Sequence, residues 1–170
     1  MKQEHRENKI GLLSFDEIAM PASIGGEFLT FQLGASEYGI DILKVQEIRN
    51  GDHIHKIPNA PAHLTGTLNL RGMTVPVIDL RRKLALEATR VDPSTAVIIL
   101  SVAKSVLGVM VDSVLDVTEI DRKKIEPPAT VQALEAACVI GIARVGAREI
   151  ILADVERWLA SDDLSVAQAA

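Results

Sequence analysis

Residues 66–84 read GTLNLRGMTVPVIDLRRKL, and this stretch decides the fold. Two short apolar strands, LNL and MTVPVIDL, flank a turn built on Gly72, with Arg71 beside it. Asp79 closes the second strand and opens a short helix predicted from Leu80 to about Leu86. The stretch holds no nucleophile–base pair, metal-ligand cluster or phosphate-cradling loop. It reads as a surface on a β-scaffold that holds a partner rather than converting one.

Upstream, EFLTFQL (27–33) alternates Phe28, Thr30 and Gln32 with Leu29, Phe31 and Leu33, the period of a strand. GASE (34–37) is a turn, YGIDIL (38–43) completes a hairpin, and VQEIRN (45–50) continues as a short strand or bend. KIPNAPAHLTG (56–66) reads as a loop with one helical turn at most. Downstream, a polar connector (87–94) leads to the strands AVIILSVA (96–103) and SVLGVMVDSV (105–114). RKKIEPP (122–128) reads as a charged loop and TVQALEAA (130–137) as a short helix. CVIGIARV (138–145) and REIILA (148–153) are strands, and DVERWLA (154–160) is a terminal helix. Residues 1–26 read as a flexible arm, favoured over a weak amphipathic turn through Leu12, Leu13, Phe15 and Ile18; residues 161–170 read as a polar tail.

The chain has 170 residues, enough for one domain or two small lobes. Hydrophobic residues make up 48% but aromatics only 3%, so the core is built from Val, Ile, Leu and Ala, a mixture that favours strands. A formal net charge of −5 argues against a nucleic-acid partner, and so few aromatics leave no base-stacking platform. Cys138 is the only cysteine, so no internal disulfide forms and a reducing, cytoplasmic setting is expected. The N-terminus lacks the apolar core of a signal peptide, and no stretch has the length of a membrane span, so direct membrane insertion is not expected.

The two halves repeat. With Gly39 set on Gly108, an offset of 69, GIDILKVQEI (39–48) lies over GVMVDSVLDV (108–117) without a gap, and FLTFQL (28–33) lies over VIILSV (97–102). A later block aligns at an offset of 75: Gly66 with Gly141, Asp79 with Asp154, Arg82 with Arg157, Leu84 with Leu159. The difference, 75 − 69 = 6 residues, is an insertion between 117 and 141, placed at the RKKIEPP loop and its helix. The expectation is a mainly β fold of two similar small lobes, about 27–92 and 94–160, each with five short strands closed into a barrel that hides its edges.

Asp79 and Asp154 occupy equivalent places in the repeat, which favours helix N-capping over a catalytic carboxylate pair. Cys138 and Trp158 are expected in the core. Pro76 cannot donate to a ladder and marks an edge strand or bulge. Glu47 lies between Val45 and Ile48 as a rim charge beside apolar neighbours, and Arg71 presents its fork of donors at a turn. His53 and His55, with Asp52 and His63 nearby, give the alternative reading, a small metal-dependent enzyme; no cysteine or third well-spaced ligand supports it.

The runs EFLTFQLGASEYGIDILKVQEIR (27–49), IPNAPAHLTGTLNLRGMTVPVIDLRRKL (57–84) and VLGVMVDSVLDV (106–117) resemble the CheW family of bacterial chemotaxis coupling proteins over about residues 27–160. Either of the signals YGIDILKVQEI and NLRGMTVPVIDLR alone also fits the regulatory domain of the histidine kinase CheA or the N-terminal half of CheV. The resemblance implies two SH3-like five-stranded barrels and an adaptor with no catalysis and no cofactor. It implies as partners the cytoplasmic tips of methyl-accepting chemoreceptors, the CheA regulatory domain, and other CheW copies in rings, all at membrane-associated arrays. Carried over by position, the receptor-contacting residues are Val45, Glu47, Ile48 and Arg71, with Gly72 shaping the turn. Kinase contacts are not assigned to residues. NGDHIHK (50–56) and PPATVQALEAA (127–137) depart from the family pattern.

Overall fold

The structure is a computed structural model and describes residues 26–60, 64–84, 86, 90–128 and 138–159. The arm, His63, the 130–137 helix and the 161–170 tail lie outside the described residues. Among the described residues, eleven strands form two sheets: β1 (Glu27–Leu33), β2 (Ser36–Asp41), β3 (Val45–Asn50), β4 (Leu64–Leu70), β5 (Met73–Asp79), β6 (Ala96–Val102), β7 (Ser105–Val111), β8 (Ser113–Glu119), β9 (Ile125–Glu126), β10 (Val139–Val145) and β11 (Arg148–Ala153). Helices α1 (Leu80–Lys83) and α2 (Val155–Trp158) are single turns. Among the described residues no helix is long and apolar enough to cross a membrane.

Sheet one runs β8-β1-β2-β11-β10-β9, and sheet two runs β3-β6-β7-β5-β4. The sheets do not follow the halves of the chain, so the expected lobes at 27–92 and 94–160 are corrected. Each half lends its opening hairpin to the other: β1–β2 pairs with β8 and β11, and β6–β7 pairs with β3 and β5. The 3-10 turn Ile42–Lys44, capped by the Asp41 side chain, carries the chain from sheet one to sheet two. The chain returns at Asp112, between β7 and β8.

The register shows the repeat residue by residue. Gly39 faces Leu152 in the parallel β2–β11 pair, and Gly108 faces Val77 in the parallel β7–β5 pair. The bulge between Leu29 and Phe31 in the β1–β8 pair recurs between Val45 and Glu47 in the β3–β6 pair. The shift between Leu64 and Gly66 recurs between Val139 and Gly141. The insertion straddles β9, a strand inside the expected RKKIEPP loop. Glu126 pairs with Ile142 as His55 bridges to Thr67, so two extra residues precede this point and four follow it.

Among the described residues, three apolar clusters carry the burial. Phe28, Ile120, Ile125, Ile140, Ala143, Ile150 and Leu152 fill the inside of sheet one. Leu68, Leu70, Val75, Val77, Val97, Ile99 and Met110 fill sheet two. Leu29, Phe31, Leu33, Ile98, Leu100 and Val102 join a third cluster between the sheets. Strands β1 and β6 are therefore covered on both faces, which is why AVIILSV is apolar without alternation. Trp158 sits in the shared cluster, 5.4 Å from Tyr38 and 6.4 Å from Phe31 between ring centroids, as a core plug.

Asp79 and Asp154 cap their helices: each side chain accepts from the backbone N–H two residues on, at 3.0 Å. Helix α1 ends at Lys83, earlier than Leu86, because Leu84 leaves the helical conformation. Pro76 is not on an edge; β5 lies between β7 and β4, and the proline sits just before the parallel ladder to β7 begins at Val77. Cys138 is half-buried beside the Arg157 carbonyl at 3.4 Å.

Gly39 and Gly108 are required where strands close on the inner clusters. A Cβ at Gly108 would stand 2.7 Å from Val97 Cγ1, and one at Gly39 would stand 3.0 Å from Leu152 Cδ2. Gly108→Ala is expected to lower stability by about 1–3 kcal/mol and Gly39→Ala by less, read from urea midpoints. Equal effects would mean that Val97 yields as easily as the tip of Leu152.

Candidate functional site

The β3 bulge sets the geometry of the candidate residues. Gln46 is the extra residue, so Val45 opposes Leu100 while Glu47 opposes Ile99 and Ile48 opposes Ile98. Residues opposed across a ladder share a face. Val45 and Ile48 therefore stand on the face of the inter-sheet cluster, and Glu47 and Arg49 on the face of sheet two's own cluster. Val45 packs against the inter-sheet cluster, whereas Ile48 at the strand edge is 44% exposed.

Arg71 and Gly72 form a two-residue hairpin turn between paired Leu70 and Met73. Both have positive φ, 51° and 85°, the signature of a type I′ turn. Asn69 Oδ1 accepts from Gly72 N–H at 2.9 Å and holds the turn. The turn carries Arg71 across to β3, where Nη2 donates to Glu47 Oε2. Arg49 Nε lies 3.1 Å from Glu47 Oε1, yet that oxygen is buried and accepts no aligned hydrogen bond among the described residues. Glu47 is thus a mostly covered carboxylate held between two arginines, while the Arg71 side chain is 75% exposed.

The repeat provides an internal control. The counterpart of Glu47 is Asp116, which accepts from Thr118 Oγ1 at 2.6 Å, Thr30 Oγ1 at 2.8 Å and Arg148 Nη2 at 3.2 Å. These partners, led by the Thr118 hydroxyl, hold its carboxyl below the usual range. Arg148 also bonds Glu37, which raises its own value. In sheet one the acid is satisfied within the chain; in sheet two it depends on an exposed turn arginine. The counterpart of Arg71 is Gly146, also at positive φ. A side chain at this φ costs about 1–2 kcal/mol relative to glycine, and sheet two bears that strain where sheet one avoids it.

A groove of about 490 Å³ runs beside the ion pair. Ile48 and Leu68 are its apolar walls, and Arg49, His53, His55 and Asn69 supply its polar lining. Arg71 and Glu47 are thus joined beside the turn at Gly72, Ile48 lines the groove from the other face of β3, and Val45 is turned toward the core. Leu68 and the histidines are lining residues that strand periodicity did not single out, because only the bulge and the His55–Thr67 bridge bring them to this side. Asp52 lies 3.4 Å from His53, and among the described residues no group of three metal-ligating side chains forms.

Comparison with known proteins places this geometry in context. The CheW-like domain family profile matches residues 27–163. Chemotaxis protein CheW of Klebsiella aerogenes is 41% identical over 157 residues, covering 92% of this chain and 94% of that protein. The Treponema pallidum protein of the same name is 31% identical and covers 81% of this chain and 84% of its own length. The crystal structure of scaffolding protein TtCheW from Thermoanaerobacter tengcongensis superposes with a TM-score of 0.74 at 31% identity, covering 82% of this chain and 96% of that one.

Proposed function

Because this chain belongs to the CheW-like domain family, a non-catalytic group of chemotaxis scaffold proteins, we propose that it couples transmembrane chemoreceptors to the histidine kinase CheA. The receptor surface is the rim formed by Glu47, Ile48, Arg71 and Gly72, with Val45 supporting it from the core side. The observation that carries this reading is the Arg71–Glu47 pair. The chain holds Arg71 in a strained turn conformation where its own repeat uses glycine, and keeps that side chain 75% exposed beside Glu47. A receptor's helical tip would lay apolar side chains against the exposed Ile48, with Glu47 and Arg71 setting its register. The adaptor would work in the cytoplasm at membrane-associated arrays, with the CheA regulatory domain on another part of its surface. The His53–His55 enzyme reading has no support from the family or from the site.

The test separates fold from function. Arg71→Gly relieves the turn and is expected to hold or raise stability while weakening pull-down of a receptor cytoplasmic fragment by about tenfold, a typical loss for an interface arginine. Glu47→Lys is expected to fold and to lose binding similarly. Unchanged binding by both variants would remove the pair from the interface. Failure of the unaltered protein to bind both receptor fragment and kinase regulatory domain would end the adaptor reading.

A further inference from the structure

We propose that the groove beside Glu47 and Arg71 is proton-tuned: it accepts a helix whose apolar ridge is flanked by carboxylates, and its affinity rises as His53 and His55 take up protons. This rests on the adaptor reading and adds the charge of the partner and the regulation of the contact.

Both imidazoles line the groove with Ile48 and Leu68. His55 is held in place by two backbone hydrogen bonds to Thr67, each 2.8 Å, and His53 lies two residues before it. The charged groups around them are few. Among the described residues lining the groove, Arg49 from β3 carries the fixed charge, Asn50 and Asn69 are neutral, and no carboxylate is present; Asp52 touches His53 from its own loop and Glu47 pairs with Arg49. The lining is thus cationic, in a chain whose net charge is −5. The Glu47 charge is already engaged by Arg71 and Arg49. The rim is locally cationic on an acidic protein, which selects an acidic-flanked partner and repels a basic one.

Histidine changes charge between about pH 5 and pH 8, so acidification adds positive charge to this rim. Asp52 stands 3.4 Å from His53 and neutralises part of that imidazole's charge. Among the described residues His55 has no carboxylate partner, so its charge is the one offered to the occupant. The added affinity for a carboxylate-bearing partner is therefore expected at the acid end of that range and lost at its alkaline end.

The experiment measures binding of a receptor cytoplasmic hairpin-tip fragment with acidic flanks to the full chain, from about pH 8 down to about pH 5 at constant ionic strength. The unaltered protein is expected to bind about three- to tenfold tighter at the acid end, the size of one or two exposed ion pairs. H53Q/H55Q is expected to flatten the profile, H55Q alone to remove more of it than H53Q, and added salt to suppress it. A slope unchanged in the double variant, or a flat profile in the unaltered protein, overturns the proton-tuned groove and leaves the adaptor reading standing. Absence of binding to receptor fragment and kinase domain at every pH overturns both.

Discussion

Arg81→Ala is expected to destabilise the fold by about 3–5 kcal/mol, the loss that follows when one partner of a buried ion pair is removed. Arg81 is only 1% exposed and Asp79 2%. Arg81 Nε and Nη2 donate to the two oxygens of Asp79 at 3.0 and 3.1 Å. Its Nη1 donates to the Arg90 carbonyl at 2.7 Å and to Asp112 Oδ1 at 3.3 Å. Asp112 in turn accepts from Gly34 N–H at 2.7 Å, so one guanidinium ties α1 to the β1–β2 turn of the other sheet. Burial works against the cation, but the Asp79 and Asp112 carboxylates outweigh it and raise its pKa. A raised arginine value keeps this stabilisation in full below the arginine range, so it does not fade near neutral pH.

Urea denaturation checks the loss, and a double-mutant cycle with Asp79→Asn checks its cause. Arg81→Met with Asp79→Asn is expected to recover part of the stability lost by Arg81→Ala, because no uncompensated charge stays buried. A loss below about 1 kcal/mol, typical of an exposed pair, would show that water reaches Asp79.

The second large effect is expected at Gly66. An added Cβ would lie 2.2 Å from the His55 carbonyl oxygen and 2.8 Å from its carbonyl carbon. Both are backbone atoms, so no rotamer change relieves the clash. Gly66→Ala must part the His55–Thr67 bridge and its two hydrogen bonds, at about 3 kcal/mol from strain and lost bonding together. The same displacement moves His53 and His55 off the groove, so receptor binding should fall along with stability. Gly72→Ala is the contrast: nothing stands within 4 Å of its Cβ, and only the positive φ opposes it, at about 1 kcal/mol. Equal urea midpoints for the two variants would contradict the close approach at His55.

The symmetry of the fold also carries a charge reversal. On α1, Arg81 reaches Asp112; at the equivalent place on α2, Glu156 reaches Lys44 at 2.7 Å. The Glu156 carboxylate raises the Lys44 pKa. Both pairs join a helix of one half to the point where the chain changes sheets, one pair buried and one exposed.

Much of this was legible in the residues. The offsets of 69 and 75 depend only on which residues match, and the strand registers follow them down to the bulges. The helix caps at Asp79 and Asp154 were readable because a carboxylate before a helix has a local partner. Local patterns could not reveal Pro76 in an inner strand, β9 within a charged loop, or the side of the molecule where His53 and His55 lie. Each of these is decided by which distant strand comes alongside.

The sequence by itself determined a mainly β, duplicated fold, the positions of its turns and caps, and the residues that differ between the repeats, Arg71 against Gly146 above all. Only the tertiary structure decided that the halves exchange their opening hairpins and that Arg71 meets Glu47. Hairpins and caps are set by neighbours in the chain. Two halves that resemble each other present equivalent strand edges, so their pairing is selected by burial of β1 and β6 between two apolar clusters, a property of the assembled sheets.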